Sequence, residues 1–256
     1  MASPHRDPLV PFDYSRPHQW TTFCRLIRPL FRLCTACYFS RRLVRGLENM
    51  PLQGPVILAL NHPAVADTPF VGTCLSGCRS PYFMAEEELF LDRIHFRLIA
   101  SLITPLGAFP VDRRLPIDPK AIGYAADRLA EGNLLIVAPE GGTERGHGLL
   151  PFRQGFVLLA LLARERLIRR GELGEVKVLP AAVCYRETPR GLRTKRAMRF
   201  RAQAGLSVGE PISLESFLVP GKNERRIMEE VTTVTRDRVG ELLAQLQQEM
   251  GGFNSI

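Results

Sequence analysis

The sequence predicts an α/β fold: a single domain with a central, mostly parallel β-sheet flanked by helices, preceded by an N-terminal amphipathic helical segment. Short apolar runs of the kind found in buried strands alternate with longer segments of helical periodicity, a pattern typical of parallel sheets. The 256 residues are 45% hydrophobic and 23% charged, which is the composition of a globular domain with a sizeable core. That composition excludes a disordered chain, a collagen-like chain and a small disulfide scaffold.

The chain divides into four segments by composition and periodicity. Residues 1–17 are polar and rich in proline, so we expect a flexible N-terminal arm. Residues 18–40 form the amphipathic helical segment, and residues 41–220 form the α/β domain. Residues 221–256 are predicted to be a C-terminal helical segment.

The amphipathic segment, at residues 20–39, is the part of the chain that best suits contact with a membrane. A run of 18 or more apolar residues, which a spanning helix needs, is absent from the sequence. Arginines recur in the segment at spacings of three and four, which places them on one face of a helix: Arg25, Arg28 and Arg32. Two interpretations are equally favoured, a helix in a membrane interface and a helix packed on the protein's own core. Pro29 is expected to kink this helix or to split it in two.

The alternation of strands and helices continues through the remaining chain. Apolar runs bounded by turn residues predict a β-like stretch at residues 42–50 and then strands at Pro55–Leu60, Tyr82–Ala85, Gly107–Val111, Leu134–Ala138, Val176–Tyr185 and Arg199–Val208. Helical periodicity predicts helices from near Pro63 to Cys78 and at Arg93–Ile103, Asp118–Glu131 and Gly155–Arg170. The last periodic stretch, Asn223–Met250, predicts one long helix or two.

The charge of the chain favours anionic partners. Its net charge is +8, from 34 basic and 26 acidic residues, which suits an anionic membrane surface or phosphate-bearing substrates. Nucleic acid is not expected as a partner, because the sequence has no helix-turn-helix cue, zinc-finger spacing or aromatic RNA-binding signature.

The six cysteines are expected to be free thiols. The first ten residues lack the apolar core and cleavage site of a signal peptide, so a reducing setting is the expectation. Two pairs have a spacing that metal ligands sometimes show, Cys34 with Cys37 and Cys74 with Cys78. Both pairs lie in apolar, helix-like runs without the turn residues of zinc sites, so we expect small buried hydrophobic side chains and no metal.

The sharpest local signal is His62, directly after a predicted buried strand, with Asp67 five residues further on. On a continuous helix these side chains would lie about 140° apart, so they meet only if His62 lies in the turn and Asp67 at the helix start. A carboxylate folded back onto the ring would orient the imidazole and stabilise its charged form, as in a hydrolase triad. Histidine is a suitable base near neutral pH, and no protein nucleophile is needed if the substrate supplies the attacking oxygen. Taken alone, the spacing is explained more simply by a capping histidine and a helix-start aspartate.

Three further blocks give the pair more weight. After the box His62-Pro63-Ala64-Val65-Ala66-Asp67 come Gly-Ala-Phe-Pro-Val-Asp-Arg at 107–113, Pro-Glu-Gly at 139–141 followed by Leu-Leu-Pro-Phe-Arg-Gln-Gly at 149–155, and Val-Leu-Pro-Ala-Ala-Val at 178–183. In their order and spacing the four blocks resemble the lysophospholipid acyltransferase family, which includes bacterial 1-acylglycerol-3-phosphate acyltransferases.

The resemblance implies roles for the residues of the first two blocks. His62 takes the role of the general base, and Asp67 takes the role of the group that orients it. Arg113 takes the role of binding the acceptor's phosphate, for which a planar guanidinium is well suited. The neighbouring Arg114 leaves the choice between the two arginines open.

The third block implies that Glu140 and Gly141 help to bind the glycerol-phosphate part of the acceptor. Here the chain departs from the family, which commonly has Pro-Glu-Gly-(Thr/Ser)-Arg. Counting back from residues 149–152 without gaps puts Thr143 where the arginine is expected, whereas Arg145 can serve if the glycine pair reshapes the loop. Thr143 and Arg145 therefore both remain candidates for this substrate contact.

The resemblance implies an O-acyltransferase that moves a fatty acyl group from acyl-CoA or acyl-carrier protein to a hydroxyl of 1-acylglycerol 3-phosphate or a related lysolipid. The product would be phosphatidic acid for phospholipid biosynthesis, and no metal or organic cofactor is expected. Because a lysolipid acceptor lies in a bilayer, we expect peripheral attachment at the cytoplasmic face of a membrane. The departure at Thr143 also leaves glycerol 3-phosphate and lyso-ornithine lipid as candidate acceptors. A thioester hydrolase, in which water replaces the acceptor, and a catalytically silent lipid-binding protein are two competing hypotheses for the function.

Overall fold

The strands of the protein form one sheet at the centre of the fold. The computed structural model describes residues 11–64, 67–75, 79–91, 93–112, 114–115, 117–141, 149–172, 174–186 and 202–251. Within these ranges eight strands pair in one sheet. They are β1 (Arg41–Arg45), β2 (Val56–Leu60), β3 (Pro81–Glu86), β4 (Ala108–Val111), β5 (Leu134–Val137), β6 (Lys177–Arg186), β7 (Gln203–Val208) and β8 (Ile212–Ser213).

The strand order across the sheet is β1-β7-β6-β2-β5-β3-β4, and β8 also pairs with β6. The β6–β7 and β6–β8 pairs are antiparallel, whereas the other pairs are parallel. The predicted α/β fold with a mostly parallel sheet is therefore confirmed. The helices of the described residues are α1 (Thr21–Tyr38), α2 (Asp67–Leu75), α3 (Ile94–Ile103), α4 (Pro119–Ala130), α5 (Gly155–Arg169) and α6 (Glu224–Glu249).

The sheet has an apolar layer on each face, because successive side chains of a strand point in opposite directions. On β2, Ile57 and Ala59 join the layer that α4 and α5 cover, together with the first part of α6. The alternate residues of β2 join a second layer with α2 and with Phe39, which follows α1. All five residues of β2 are buried, as expected for a central parallel strand.

Helix α1 confirms that the amphipathic segment is a helix, and of the two outcomes expected at Pro29, a kink or a split, it excludes the split. It continues through Pro29 as one helix and is not split. Its apolar side chains do not all face the protein: Leu26, Leu30 and Leu33 are 75%, 53% and 61% exposed. The arginines are also divided, since Arg28 is half-buried and donates to the hydroxyl of Ser80 (3.3 Å). Among the residues described, no helix combines the length and apolarity needed to cross a bilayer.

The expectation that the paired cysteines are buried is wrong for Cys34 and Cys37. Both are exposed, because α1 turns only one side toward the domain and these residues lie on the other. Cys74 is partly buried, and Cys78 lies outside the described residues.

The described residues that precede α1 pack on the domain. Residues 11–17 form no helix or strand, yet Phe12 packs edge-on against Phe90 and Tyr124, with ring centroids 6.2 and 5.5 Å apart. The hydroxyl of Tyr14 also donates to the carbonyl oxygen of Pro110 (3.2 Å). Two aromatic side chains thus anchor this part of the arm to the domain.

The structure gives the extent of two helices whose bounds or number the sequence left open. The helix expected from near Pro63 is described over Asp67–Leu75, and the residues on either side of it, 65–66 and 76–78, lie outside the described part. The C-terminal stretch is one helix of 26 residues, whose first turn is capped by the side chain of Asn223.

The parallel strands place the four sequence blocks at one edge of the sheet. Strands β2, β5, β3 and β4 run in the same direction, as does β6 beside β2. The segments that follow them therefore emerge at the same edge, where open α/β sheets commonly bind ligands. His62 follows β2, Asp112 follows β4, Glu140 follows β5, and Tyr185 lies near the end of β6.

The turn after β1 generates a test of the fold. Gly46 has a φ of +72°, and a Cβ there would overlap the backbone carbonyl oxygen of Val208. Gly221 has a φ of +85° with open space around it. We expect Gly221→Ala to cost about 1–2 kcal/mol for its left-handed backbone, and Gly46→Ala to cost about 1–3 kcal/mol more for the overlap. Urea unfolding of both variants measures the difference, and equal destabilisation would contradict the close packing of this turn on β7.

Candidate active site

The position of the histidine is set by the residue before it. Asn61 is buried, and its side-chain amide donates to the carbonyl oxygen of Val183 (3.0 Å) while its amide oxygen accepts from the N–H of the same residue (2.7 Å). This pair of bonds extends the β2–β6 pairing by one step, with a side chain in place of backbone. The turn that carries His62 is thereby fixed to β6.

Asp67 is the first residue of α2, and its carboxylate is fully buried. Oδ2 accepts from Nδ1 of His62 (2.8 Å) and from the backbone N–H of Ala64 (3.0 Å). Oδ1 accepts from the hydroxyl of Tyr185 (2.5 Å). Burying a carboxylate is costly unless hydrogen bonds replace its hydration, and three donors do so here.

The imidazole of His62 is 26% exposed, so it lies at the surface of the site and not inside the core. Because Nδ1 contacts Asp67, the ring nitrogen left for proton transfer is Nε2. The side chains thus meet as the sequence spacing requires, with His62 in the turn and Asp67 at the helix start. Their roles as base and orienting group stay predictions.

Glu140 lies beside the histidine, in the turn after β5. Its carboxylate accepts hydrogen bonds from the backbone N–H groups of His62 and Leu150. Burial raises the pKa of Glu140, and these two hydrogen bonds oppose the rise. These bonds give Glu140 a part in holding the histidine turn, and its expected role in binding the acceptor stays a prediction.

Gly141 has a backbone conformation that glycine favours, with a φ of +72°. A Cβ there would come within 2.8 Å of Nε of Arg153, so the arginine of the second half of the third block packs over the glycine. The N–H of Arg153 also donates to the carbonyl oxygen of Pro139 (2.8 Å). The two halves of the third block are therefore joined in the fold, although residues 142–148 separate them.

The second block offers two arginines, and the structure accounts for one of them. Arg114 donates through Nε and Nη2 to the carboxylate of Asp112 (2.7 and 2.9 Å) and forms an ion pair with Glu87. Its charge is therefore already compensated by two carboxylates. Arg113, Thr143 and Arg145, the remaining predicted substrate contacts, lie outside the described residues.

Tyr185 is a site residue that the sequence analysis missed. It follows the fourth block by two residues, and the period of two along β6 places it on the same face as Ala181 and Val183. That alternation is the signal that could have indicated it, since both neighbours on this face pack in the layer containing α2.

Together, the partly exposed imidazole of His62 and the buried carboxylate of Asp67 form a pair that can remove a proton from a bound hydroxyl group.

Comparisons with known proteins bear on the fold and the family of the chain. The comparison with curated proteins returned no match. Among solved structures, the fold is similar to the crystal structure of the 1-acyl-sn-glycerophosphate (LPA) acyltransferase PlsC from Thermotoga maritima, with a TM-score of 0.60 and 23% identity. This match covers 86% of the present chain and 79% of that chain, and at this identity it concerns the fold alone. A family model described as Acyltransferase matches residues 41–184, a span that includes His62, Asp67 and Glu140. Since that span is more than half of the chain, the protein belongs to the acyltransferase family.

Proposed function

We propose that this acyltransferase transfers a fatty acyl group from acyl-CoA or acyl-carrier protein to a hydroxyl of 1-acylglycerol 3-phosphate or a related lysolipid, which makes phosphatidic acid for phospholipid biosynthesis. The observation that carries the proposal is the 2.8 Å hydrogen bond between His62 Nδ1 and buried Asp67 at the carboxyl edge of the sheet. The description of its structural neighbour as a 1-acyl-sn-glycerophosphate acyltransferase supports the choice of acceptor.

In the proposed reaction, Nε2 of His62 takes the proton of the acceptor hydroxyl as its oxygen attacks the thioester carbonyl carbon. A C–O bond forms, the tetrahedral oxyanion collapses, and the C–S bond breaks. The leaving thiolate receives the proton from the imidazolium, so atoms and charges balance. Asp67 stabilises the imidazolium in between, because its carboxylate is held against Nδ1 and shielded from water.

The acceptor's phosphate is assigned to Arg113. The choice rests on its place in the second block and on Arg114, whose guanidinium is already engaged by Asp112 and Glu87. A phosphate bound next to β4 would hold the acceptor at the edge of the sheet where His62 lies. Thr143 and Arg145 are assigned to the same part of the acceptor on their place in the third block.

The proposal includes peripheral attachment to the cytoplasmic face of a membrane through two helices. Helix α1 carries exposed apolar side chains, and so does α3, which adds Ile94, Leu98, Ile99 and Leu102. The start of α1 meets the turn that ends α3, where the N–H of Trp20 donates to the carbonyl oxygen of Pro105 (3.0 Å). Exposed apolar residues on adjacent helices of a basic protein suit a surface of anionic lipid.

The first test of the function is the acyl-transfer activity of His62→Ala. Loss of a general base typically lowers the rate about 10²–10⁴-fold. We therefore expect kcat of the variant to fall by at least about 10²-fold, while its circular dichroism spectrum stays unchanged. His18→Ala is the control, because that histidine packs on Phe12 away from the site. A fully active His62→Ala variant would refute the assignment.

The same assay, run with one labelled thioester and a panel of acceptors, shows which acceptor the enzyme uses. Release of free fatty acid without any acceptor would identify a thioester hydrolase.

The paired arginines offer a matched comparison for acceptor binding. Arg113→Ala removes the proposed phosphate contact. Because hydrogen bonds between charged groups contribute substantially to binding free energy, we expect the KM for acceptor to rise about 10- to 100-fold. Arg114→Ala removes a guanidinium bound to two carboxylates and is expected to change the acceptor KM by less. Steady-state kinetics with varied acceptor measures both, and a larger effect of Arg114→Ala would transfer the assignment to that residue.

Membrane attachment is tested by a double variant, Leu26→Glu with Leu30→Glu. Burial of two leucine side chains in the membrane interface contributes favourable free energy to binding. We therefore expect the double variant to bind vesicles of phosphatidylglycerol and phosphatidylcholine at least about tenfold more weakly in co-sedimentation. Leu52→Glu is the control, since Leu52 is as exposed as Leu26 but lies in the turn before β2. High salt or alkali is expected to release the wild-type protein from membranes, and release by detergent alone would contradict peripheral attachment.

A further inference from the structure

Tyr185 joins the proposed catalytic pair to the rest of the core. Its ring packs against two phenylalanines that also contact each other: it is stacked on Phe39 with centroids 5.9 Å apart and planes at 17°, and tilted against Phe70 at 6.2 Å. Its hydroxyl donates to Oδ1 of Asp67 (2.5 Å). The ring is therefore fixed by packing, and its hydroxyl group is aimed at the buried carboxylate.

The two oxygens of Asp67 have different partners. Oδ2 holds His62 and the backbone of Ala64, whereas Oδ1 holds Tyr185. The torsion that rotates an aspartate carboxylate is soft, so a donor on Oδ1 determines how squarely Oδ2 faces the imidazole. The carboxylate is fully buried, which keeps solvent water from replacing this donor.

The phenol of Tyr185 stays protonated at physiological pH and can serve only as a donor toward Asp67. Burial, followed by the negative charge of Asp67, raises the pKa of Tyr185 well above its usual value. Other titratable groups near this cluster are Cys74 of α2 and Glu140 after β5, together with Cys184 of β6, whose side chain packs on the other face of the sheet against Leu246 and Met250. Burial raises the pKa of both cysteines to about 12, so they remain neutral thiols.

We infer that Tyr185 is a positioning residue for acyl transfer: through Asp67 it orients His62 and sets how strongly the carboxylate attracts the protonated imidazole. The inference rests on the proposed function, in which His62 is the base. A hydrogen bond from the phenol draws negative charge toward Oδ1. Its removal leaves more of that charge on Oδ2, which favours the imidazolium and leaves the carboxylate freer to rotate.

The test is Tyr185→Phe, which keeps the ring and deletes the donor. We expect the acid limb of the pH profile of kcat/KM to move to higher pH by at least about half a unit. This shift is smaller than the full free energy of a hydrogen bond to a charged group would produce, because the phenol acts on His62 only through Asp67. At neutral pH kcat is expected to fall, with no change in the KM for acceptor. Tyr124→Phe is the control, since Tyr124 is a buried tyrosine in the apolar layer on the opposite face and should leave the acid limb in place.

A second variant keeps the inference testable if Tyr185→Phe fails to fold. Fluorotyrosine at position 185 is a stronger donor of nearly the same size, so the acid limb should move in the opposite direction, to lower pH. An acid limb at its wild-type position in a folded Tyr185→Phe variant, or in the fluorotyrosine variant, would overturn the inference. Failure of the proposed function is distinguished by His62→Ala: if that variant is fully active, the histidine is not the base, whatever the result at position 185.

Discussion

The site depends on one constraint, the burial of the Asp67 carboxylate. A charge removed from water must find hydrogen-bond donors in the protein, and those of Asp67 come from separate parts of the chain. The turn after β2 supplies His62 and Ala64, and the end of β6 supplies Tyr185. The donors can meet only if β2 and β6 are neighbours in correct register, which the bonds between Asn61 and Val183 secure. The correct pairing of β2 with β6 therefore brings the donors to Asp67, and their hydrogen bonds to its carboxylate in turn hold the two strands together.

The carboxyl edge of the sheet explains how residues so far apart in sequence form one site. Parallel strands that are central in the sheet all deliver their next residue to the same edge. Glu140 adds a link across that edge, because one carboxylate accepts from the backbone of the histidine turn and from the loop that precedes α5. Neighbouring loops are thus tied through backbone groups, which leaves the imidazole of His62 as the exposed functional group.

Much of this arrangement could be predicted from the sequence, and the failures have physical reasons. Periodicity predicted the α/β fold and the strand–helix alternation, because apolar burial dominates both. The spacing of His62 and Asp67 required the turn-then-helix geometry that the structure has. Periodicity could not tell which side of α1 faces the domain, since apolar residues occupy most of its circumference. It also missed Tyr185, because an aromatic residue at the end of a strand is usually core, and only tertiary structure reveals a hydrogen bond to residue 67. The anchoring of Phe12 was missed because one aromatic side chain gives no periodic signal.

The pairing of β1 with β7 has a consequence for how the chain is made. Arg41 of β1 lies opposite Gln203 of β7, so β1 leaves the ribosome long before its partner exists. Until β7 is synthesised, the edge of β1 has no strand to complete it. Strand pairs so distant in sequence close slowly, because the entropy of the intervening loop is lost before their contacts form. Strand β1 therefore waits on β7 during synthesis, and truncation before β7 leaves both β1 and one edge of β6 without a partner strand, an arrangement prone to aggregation.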